Sequence, residues 1–420
     1  MDIKENVDLL EYELVFLKAV KSAPKYNINK DIRLYRVGGY VRDMIIGAES
    51  KDVDYLVTNV AYDDLESTLI KYFGKVISTS VGEDMNAIKV AMPNGEVYDF
   101  VIPRKDLYGN TGKHTDLKTI GDPTMDIIDD LSRRDFTMNA IAYDVESGEY
   151  VDPFNGRKDI EYKVIKCVGD ANIRFREDAL RILRAIQFAV RFDFQINITT
   201  KYGIINNQEL LSKITKERIC TELEKAFTKS KNKGNKRLLK LLEMIRSHIF
   251  KSDDSEPVEI NSFTGNLIVS NYVAMFINDE GYLDLKLPRR TIQIIDICRH
   301  IVRNPYDDYV FYQLYKKDHL LYDVYNALSP KEYDRYLKHT GLTLSKIITK
   351  PMNPKYLKIT SEEIIALGIP LCNIGTLTKN MAMAIYLDII ENEHDVLYKM
   401  AFEYFQSIKL PCQISQNRLI

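Results

Sequence analysis

The sequence predicts an α/β head, in which helices lie on one side of a mixed sheet, followed by an all-helical remainder. Residues 31–155 contain short β-rich runs interspersed with helical stretches such as 62–73. From about residue 170 the strand signal disappears, and helical periodicity follows over 176–192, 215–228 and 236–250. Strands mixed with helices pack as layers, whereas helices alone pack as bundles. We therefore expect a change of domain between the α/β head and the all-helical remainder.

A helix, a strand and a glycine pair open the chain. Apolar residues at helical spacing over 5–22 predict an amphipathic helix. The apolar run 34–37 predicts a buried strand, which Gly38 and Gly39 interrupt. A helix is expected over 40–46 and should end at Gly47, because glycine readily adopts the conformation that closes helices. The glycine pair exposes backbone N–H groups at a helix N-terminus, which suits a phosphate chain.

A second strand is expected to carry Asp52 and Asp54. Residues two apart on a strand point to the same face, so both carboxylates project into one site. The two carboxylates repel each other unless a cation lies between them. The usual reason for such a pair is to bind Mg²⁺ together with a nucleotide phosphate. Asp99, on a predicted neighbouring strand, completes a triad of carboxylates. This stretch indicates a two-metal nucleotidyl-transfer centre.

A lone D-x-D pattern is more often a pair of solvated charges at the end of a strand. In this chain a G-G-x-x-R-D pattern precedes it, and Asp99 follows it on a predicted strand. The combination favours a functional site over solvated charges.

Composition and targeting signals exclude some classes of protein. The 420 residues carry a formal net charge of −2, so any nucleic-acid surface must be local. The first residues have neither a signal-peptide core nor an Arg-rich transit pattern, and no apolar run approaches the about 18 residues that span a bilayer. The five cysteines are scattered without metal-site spacing, which predicts reduced thiols. We therefore expect a cytoplasmic protein with no membrane segment.

Motifs across roughly residues 34–195 resemble the class II CCA-adding tRNA nucleotidyltransferases and bacterial poly(A) polymerases. In family order and spacing they are VGGYVRD, KDVDYLV, DFVIPRKD, LSRRDFTMNAIAYD, VDPFNGRKDI and RFREDALRILRAIQFAVRF. From about residue 225 the similarity fades, with one echo in ITSEEIIALGIPLCNIG at 359–375. The resemblance implies a nucleotidyltransferase head (1–155), a helical neck with a nucleotide-selecting helix (156–228), and a helical, RNA-binding body and tail (229–420).

The resemblance also implies roles for individual residues. Asp52 and Asp54 would bind two Mg²⁺ ions, and Asp99 would help to activate the primer hydroxyl. Gly39 and Arg42 would contact the triphosphate, and Arg134 would contact the incoming nucleotide. Asp135 and Asn139 would shape the ribose site. The implied nucleotide-binding set in the head is Gly38, Gly39, Arg42, Asp43, Arg134, Asp135 and Asn139.

The predicted helix over 176–192 places Asp178, Arg181 and Arg184 on one slanting ridge, because they are three residues apart. A carboxylate and a guanidinium together can read the Watson–Crick edge of C or A without a template. A salt-bridged surface helix is the plain alternative. In the family the E-D-x-x-R motif reads the base, which points to Asp178 and Arg181, and Arg184 joins these two in the predicted nucleotide-binding set. The family often has another arginine three residues after Arg184, where this chain has Gln187.

Function and partners are expected from the same resemblance. The activity would be template-independent addition of C, C and A to the 3′ end of tRNA from CTP and ATP, with release of pyrophosphate. A poly(A) polymerase, a partial enzyme that adds only CC or only A, and a non-catalytic tRNA-end binder are the alternatives. Seven basic residues between 225 and 240 predict either a grip on an RNA backbone or a solvated loop.

Overall fold

A computed structural model gives the fold of this chain. It describes residues 3–26, 30–48, 50, 53–74, 76–80, 86–92, 95–108, 117–230, 236–250, 267–278, 280–304, 320–328 and 353–416. The chain divides into two compact units, which are Met1–Lys231 with Leu241–Ile249 and Asn232–Lys240 with Phe250–Ile420. The finer division into head, neck, and body and tail stays a prediction.

The strands form a mixed sheet and two small pairs. In the main sheet the order is β3-β4-β5-β2-β1-β8-β9, in which β2 and β5 are parallel and the other neighbours antiparallel. The antiparallel pair β6–β7 and the short parallel pair β10–β11 lie outside it. The strands are β1 (Arg33–Val37), β2 (Asp54–Thr58), β3 (Val76–Ser80), β4 (Asn86–Ala91), β5 (Val97–Val101), β6 (Arg104–Tyr108), β7 (Leu117–Gly121), β8 (Ala142–Asp144), β9 (Tyr150–Val151), β10 (Val164–Ile165) and β11 (Gln195–Ile196).

Helices make up most of the rest of the first unit. The predicted helices over 5–22, 40–46 and 62–73 are confirmed within two residues at each end, and Gly47 closes the second in the left-handed conformation. The helices are α1 (Ile3–Lys21), α2 (Gly39–Ile46), α3 (Tyr62–Phe73), α4 (Ile127–Ser132), α5 (Gly156–Glu161), α6 (Ala171–Glu177), α7 (Leu180–Phe192), α8 (Ile198–Asn207) and α9 (Lys216–Lys229).

From residue 236 onward the described elements are all helical, as predicted. The α-helices are Lys236–Leu242, Arg246–Ile249, Leu267–Phe276, Arg289–Arg303, Leu321–Leu328, Ser361–Ala366, Leu371–Tyr386 and His394–Gln416. Short 3₁₀ turns occur in both units, at Thr137–Asn139, Gln208–Lys213, Gly281–Asp284 and Pro354–Tyr356.

Both faces of the main sheet carry helices, so the expectation of helices on one side alone is wrong. Helices α1 and α3 cover one face, where Phe16 and Leu65 pack with strand residues such as Phe100. On the other face Ile127 and Leu131 of α4 pack with a second set of strand residues that includes Leu56. The short helix α4 was not predicted, because its few apolar positions do not show a helical period.

The predicted single helix over 176–192 is also wrong, because two helices meet at Asp178. Asp178 has extended backbone angles (φ −148°, ψ 106°) between α6 and α7. Its carboxylate accepts a hydrogen bond from the backbone N–H of Leu180 at 3.0 Å. An aspartate that satisfies an early N–H of a helix favours a new start over continuation.

No helix among the residues that the structure describes is long and apolar enough to cross a membrane. Of the cysteines, Cys167, Cys220 and Cys298 are buried free thiols and Cys372 is an exposed one.

Candidate active site

The turn between β1 and α2 forms one wall of the candidate active site. Gly38 has φ 74° and ψ −138°, a conformation that side chains other than glycine rarely adopt. A Cβ atom at Gly38 would lie 3.4 Å from Nη1 of Arg134 and 3.4 Å from Oδ2 of Asp54. Helix α2 begins at the next residue, Gly39, so unpaired backbone N–H groups follow the turn. The turn therefore joins N–H donors, a guanidinium and a carboxylate in one place.

Two of the three predicted carboxylates lie side by side on parallel strands. Asp54 is the exposed first residue of β2, and Asp99 is its register partner on β5. Lys89 on β4 lies opposite Asp99, and its Nζ is 2.9 and 2.8 Å from the two carboxylate oxygens. Asp52 lies outside the described residues. The lysine was not predicted, because the cross-strand register that brings it to Asp99 cannot be read from a motif.

The donor set on these strands fits a hard divalent cation. Within the described part of the chain no three His, Cys, Asp or Glu side chains form a group that could hold a metal ion. Asp54 and Asp99 nevertheless offer carboxylate oxygens from adjacent positions, which is the donor type that Mg²⁺ prefers. A third carboxylate from Asp52, two residues before Asp54, would extend that set.

Arg134 lies between the turn and a buried carboxylate. Its Nη2 donates to Asp130 at 3.1 Å, and the same fully buried carboxylate accepts from Nη2 of Arg133 at 2.7 Å. Burial alone would raise the pKa of Asp130, but the Arg134 and Arg133 guanidiniums hold it below its usual range. The Nε atom of Arg134 is buried and has no hydrogen-bond partner among the described residues. An anchored guanidinium with an unsatisfied donor beside the Gly38 turn suits an anionic ligand.

A chain of hydrogen bonds connects α2 with α7 behind the site. Nη1 of Arg42 donates to the Asn139 side-chain oxygen at 2.8 Å, and Nδ2 of Asn139 donates to Asp135 at 2.9 Å. The other Asp135 oxygen lies 2.8 Å from Nε and 2.7 Å from Nη2 of Arg184. The structure therefore brings four of the predicted nucleotide-binding residues into one network. These residues contact one another and so hold the site together. Their contact with a nucleotide stays a prediction.

Arg42 is more enclosed than a residue predicted to contact a triphosphate would suggest. It is 4% exposed, and its guanidinium lies 5.3 and 4.8 Å from the ring centres of Phe188 and Phe192 on α7. Its Nε and Nη2 atoms are each 2.8 Å from Asp43, which also accepts from Arg191 at 3.1 Å. Arg191 is a further residue that the motifs did not indicate. Its position seven residues after Arg184, on the same side of a helix, was the available signal.

Asp178 and Arg181 have separate partners. Asp178 accepts a hydrogen bond from Arg218 of α9 at 3.2 Å. Arg181 is 8% exposed, and its Nη1 and Nη2 donate to Glu177 at 2.6 Å and to the Arg133 carbonyl at 3.0 Å. The interruption between α6 and α7 explains this, because Asp178 is no longer part of the helical ridge that carries Arg181. Reading of a base edge by these two groups stays a prediction.

Two remaining sequence features have plain structural outcomes. Gln187 is 3% exposed in α7, so this position belongs to the protein interior. In the basic run, Lys231 and Lys233 lie outside the described residues, and Lys225 is paired with Glu222 at 2.8 Å.

Comparison with known proteins agrees with these motifs. Residues 34–166 match the family described as the Poly A polymerase head domain, and residues 193–244 match the family described as the probable RNA and SrmB-binding site of polymerase A. A CCA-adding enzyme of Geobacillus thermodenitrificans is 40% identical over 193 residues, 46% of this chain and 44% of that protein. The matched part thus spans less than half the length of that relative. A CCA-adding enzyme of Leuconostoc mesenteroides is 28% identical over 398 residues, 88% of this chain and 92% of that protein.

Solved structures share the fold over most of the chain. Thermotoga maritima CCA-adding enzyme complexed with tRNA has a TM-score of 0.62 at 21% identity, over 95% of each chain. A CCA-adding enzyme in complex with ATP has a TM-score of 0.66 at 21% identity, over 96% of this chain and 94% of that one. The predicted fold class, a mixed-sheet head followed by helices, is confirmed, with the short β10–β11 pair as an addition.

Proposed function

We propose, since this chain belongs to the family of CCA-adding enzymes and poly(A) polymerases, that it adds C, C and A in turn to the 3′ end of tRNA. The substrates would be CTP and ATP, and pyrophosphate would be released. The observation that carries the proposal is the meeting of Asp54, Asp99, Arg134 and the Gly38 turn at one point of the sheet. A carboxylate pair beside N–H donors and a guanidinium has the parts that nucleotidyl transfer requires.

In the proposed reaction the 3′-hydroxyl oxygen of the RNA attacks the α-phosphorus of the nucleotide. The new O–P bond forms as the bond from the α-phosphorus to the pyrophosphate oxygen breaks, and Asp99 accepts the hydroxyl proton. Asp52 and Asp54 would hold two Mg²⁺ ions, which when bound would polarise the α-phosphate and lower the pKa of the hydroxyl. The N–H groups after Gly38 and the Arg134 guanidinium would hold the triphosphate in line.

Nucleotide choice would lie on the α6–α7 side of the site. Asp135 and Asn139 would shape the ribose pocket, with Arg184 as the ion-pair partner that fixes Asp135. For Asp178 and Arg181 to read the base, each would exchange its present partner, Arg218 or Glu177, for the base edge. Exchange between a protein partner and a base would let one pair accept C and then A.

The proposal includes a partner, a location and a domain division. The likeness to a structure complexed with tRNA supports a tRNA 3′ end as the acceptor, and the match of 193–244 to an RNA-binding family supports RNA contacts there. This reaction and the buried free thiols both support a cytoplasmic location. The head would carry the chemistry at 1–155, the neck nucleotide selection at 156–228, and the body and tail RNA contacts at 229–420.

A poly(A) polymerase, which shares the head motifs, is the second candidate. The experiment offers ATP alone, CTP alone or both to a tRNA transcript that lacks CCA and to an unrelated RNA of equal length. We expect incorporation on the tRNA that needs CTP before ATP, and little on the unrelated RNA. A long A tail from ATP alone on both RNAs would favour the polymerase, and binding of tRNA without any incorporation would favour a non-catalytic binder.

Gly38→Ala should reduce the catalytic activity more than the stability of the fold. The added methyl group would enter the 3.4 Å gap to Arg134 and Asp54, and the backbone at φ 74° would be strained by about 1–3 kcal/mol. We expect kcat to fall at least tenfold. Gly47→Ala is the matched control, because Gly47 also has φ 74° but a Cβ atom there would meet none of the described residues within 4 Å. Equal activity of the two variants, measured by primer extension, would show that the Gly38 turn is not part of the catalytic wall.

Lys89→Gln should change the metal requirement. Lys89 neutralises Asp99 in the structure, so its removal leaves the carboxylates more negative and favours a cation. We expect the Mg²⁺ concentration for half-maximal activity to fall severalfold and Mn²⁺ to bind more tightly by titration calorimetry. Lys105→Gln is the control, since it breaks a similar 2.8 Å ion pair between Lys105 on β6 and Asp122, which follows the end of β7. A raised metal requirement in Lys89→Gln would mean that the lysine orients Asp99 for the metal.

A further inference from the structure

A buried carboxylate on α1 contacts β1 and β2, two of the strands that carry the site. Glu13 is 4% exposed, and its two oxygens accept from Nε and Nη2 of Arg36 on β1. One of the same oxygens accepts from the Tyr55 hydroxyl on β2 at 2.9 Å. Glu13 therefore bonds to two strands at once.

The two residues that Glu13 holds are direct partners across the sheet. Arg36 lies opposite Tyr55 in the antiparallel register of β1 and β2, and the next pair is Val37 with Asp54. Gly38 follows Val37. Because successive side chains on a strand alternate between faces, Glu13 holds the pair from the α1 side while Asp54 points away from it.

Two aromatic rings flank the Arg36 guanidinium. The Arg36 guanidinium lies 5.5 Å from the ring centre of Tyr40 on α2 and 5.2 Å from that of Tyr143 on β8. A buried guanidinium that lost its carboxylate would be left uncompensated, so the pair has a strong preference for one geometry. Helix α1 lies before residue 34, where the match to the head family begins.

We propose that Glu13 is a positioning residue, which fixes the Gly38 turn relative to Asp54 by clamping Arg36 and Tyr55. The proposal rests on the proposed nucleotidyl transfer. It means that α1 contributes to catalysis in the head by positioning the Gly38 turn. Since a displacement of about 1 Å at a reacting centre can cost 10²-fold in rate, loss of the clamp reduces turnover before it reduces nucleotide binding.

The test compares Glu13→Gln with Val20→Ala in the full chain. Val20 is a fully buried residue of α1 that packs in the same core, and its apolar side chain cannot form a hydrogen bond with Arg36 or Gly38. We expect both variants to lower Tm. Only Glu13→Gln should lower kcat, by about 10- to 100-fold, with the KM for CTP within about threefold of the unmodified chain.

A double variant, Glu13→Leu/Arg36→Met, separates positioning from stability. Replacing both charged partners with apolar residues removes the uncompensated charge, so Tm should recover. The proposal expects kcat to stay low in this double variant, because the link from α1 to the strands is still absent. Recovery of kcat along with Tm, or an unchanged kcat in Glu13→Gln, would overturn it.

Amide hydrogen exchange gives a readout that needs no activity. Glu13→Gln should speed exchange in peptides covering 33–46 and 53–58 while peptides covering 216–229 exchange as before. Val20→Ala should not speed amide exchange selectively in those two segments. If the unmodified chain proves inactive, the proposed function fails, and exchange alone then decides the clamp, with uniform exchange rates in Glu13→Gln contradicting it.

Discussion

Asp54→Asn is expected to abolish nucleotide addition, with a fall of about 10³-fold or more. Asparagine keeps the size of the side chain but removes the charge that would hold a metal ion, and such electrostatic stabilisation is worth several kcal/mol, or about tenfold for each 1.4 kcal/mol. Asp54 is exposed at the first position of β2, so the fold should be unaffected. Single-turnover extension of a tRNA transcript measures the effect on the chemical step.

Asp63→Asn is the control for the Asp54 variant, because Asp63 is an exposed carboxylate in the first turn of α3. It should retain the full rate. If Asp54→Asn kept more than a tenth of the rate at an unchanged Tm, the carboxylate would not belong to the catalytic centre.

Asp135→Asn is expected to destabilise the first unit by about 1.5–3 kcal/mol, because it leaves the partly exposed Arg184 guanidinium without its buried partner. Asp135 is 8% exposed and also accepts hydrogen bonds from the Phe136 N–H and the Asn139 side chain. Urea unfolding followed by circular dichroism gives the change. The exposed Asp129→Asn on α4 is the control and should stay within about 0.5 kcal/mol. A loss of less than 1 kcal/mol at Asp135 would mean that the hydrogen-bond network behind the site is dispensable for folding.

The same pair predicts a pH dependence. Burial acts to raise the pKa of Asp135, but the Arg184 guanidinium and the Asn139 hydrogen bond hold it below its usual range. A carboxyl with a lowered folded pKa stabilises the fold above its unfolded pKa of about 3.9 and loses that contribution as pH falls through the folded value. The stability difference between the unmodified chain and Asp135→Asn should therefore be constant near neutral pH and shrink below about pH 4. A difference that grows in acid would contradict this assignment.

The sequence was most informative where structure is set by neighbouring residues. The strand before Gly38, the helix after Gly39 and its end at Gly47 follow from apolar runs and glycine chemistry over a few residues. The parallel register of β2 and β5 could not be read from the sequence, yet two predicted strands that each carry an aspartate were enough to predict that Asp54 and Asp99 are neighbours.

The remaining features depend on tertiary contacts. Arg42 is enclosed by Phe188 and Phe192, which are distant in sequence. The apolar period of 176–192 continues through Asp178 and hides the break between α6 and α7, where the Asp178 carboxylate accepts hydrogen bonds from the Leu180 N–H and from Arg218 of α9. The Glu13 clamp likewise joins three elements at a register that no local pattern specifies.

The most direct measurement uses three tRNA transcripts, which end before the CCA, after its first C and after its second C, each with labelled CTP, ATP or both. We expect addition of two, one and no C from CTP at these three ends, then of a single A from ATP, after which extension stops. An enzyme that adds only CC or only A would extend some of these ends but not all. No incorporation at any end with Mg²⁺ or Mn²⁺ would contradict the central claim.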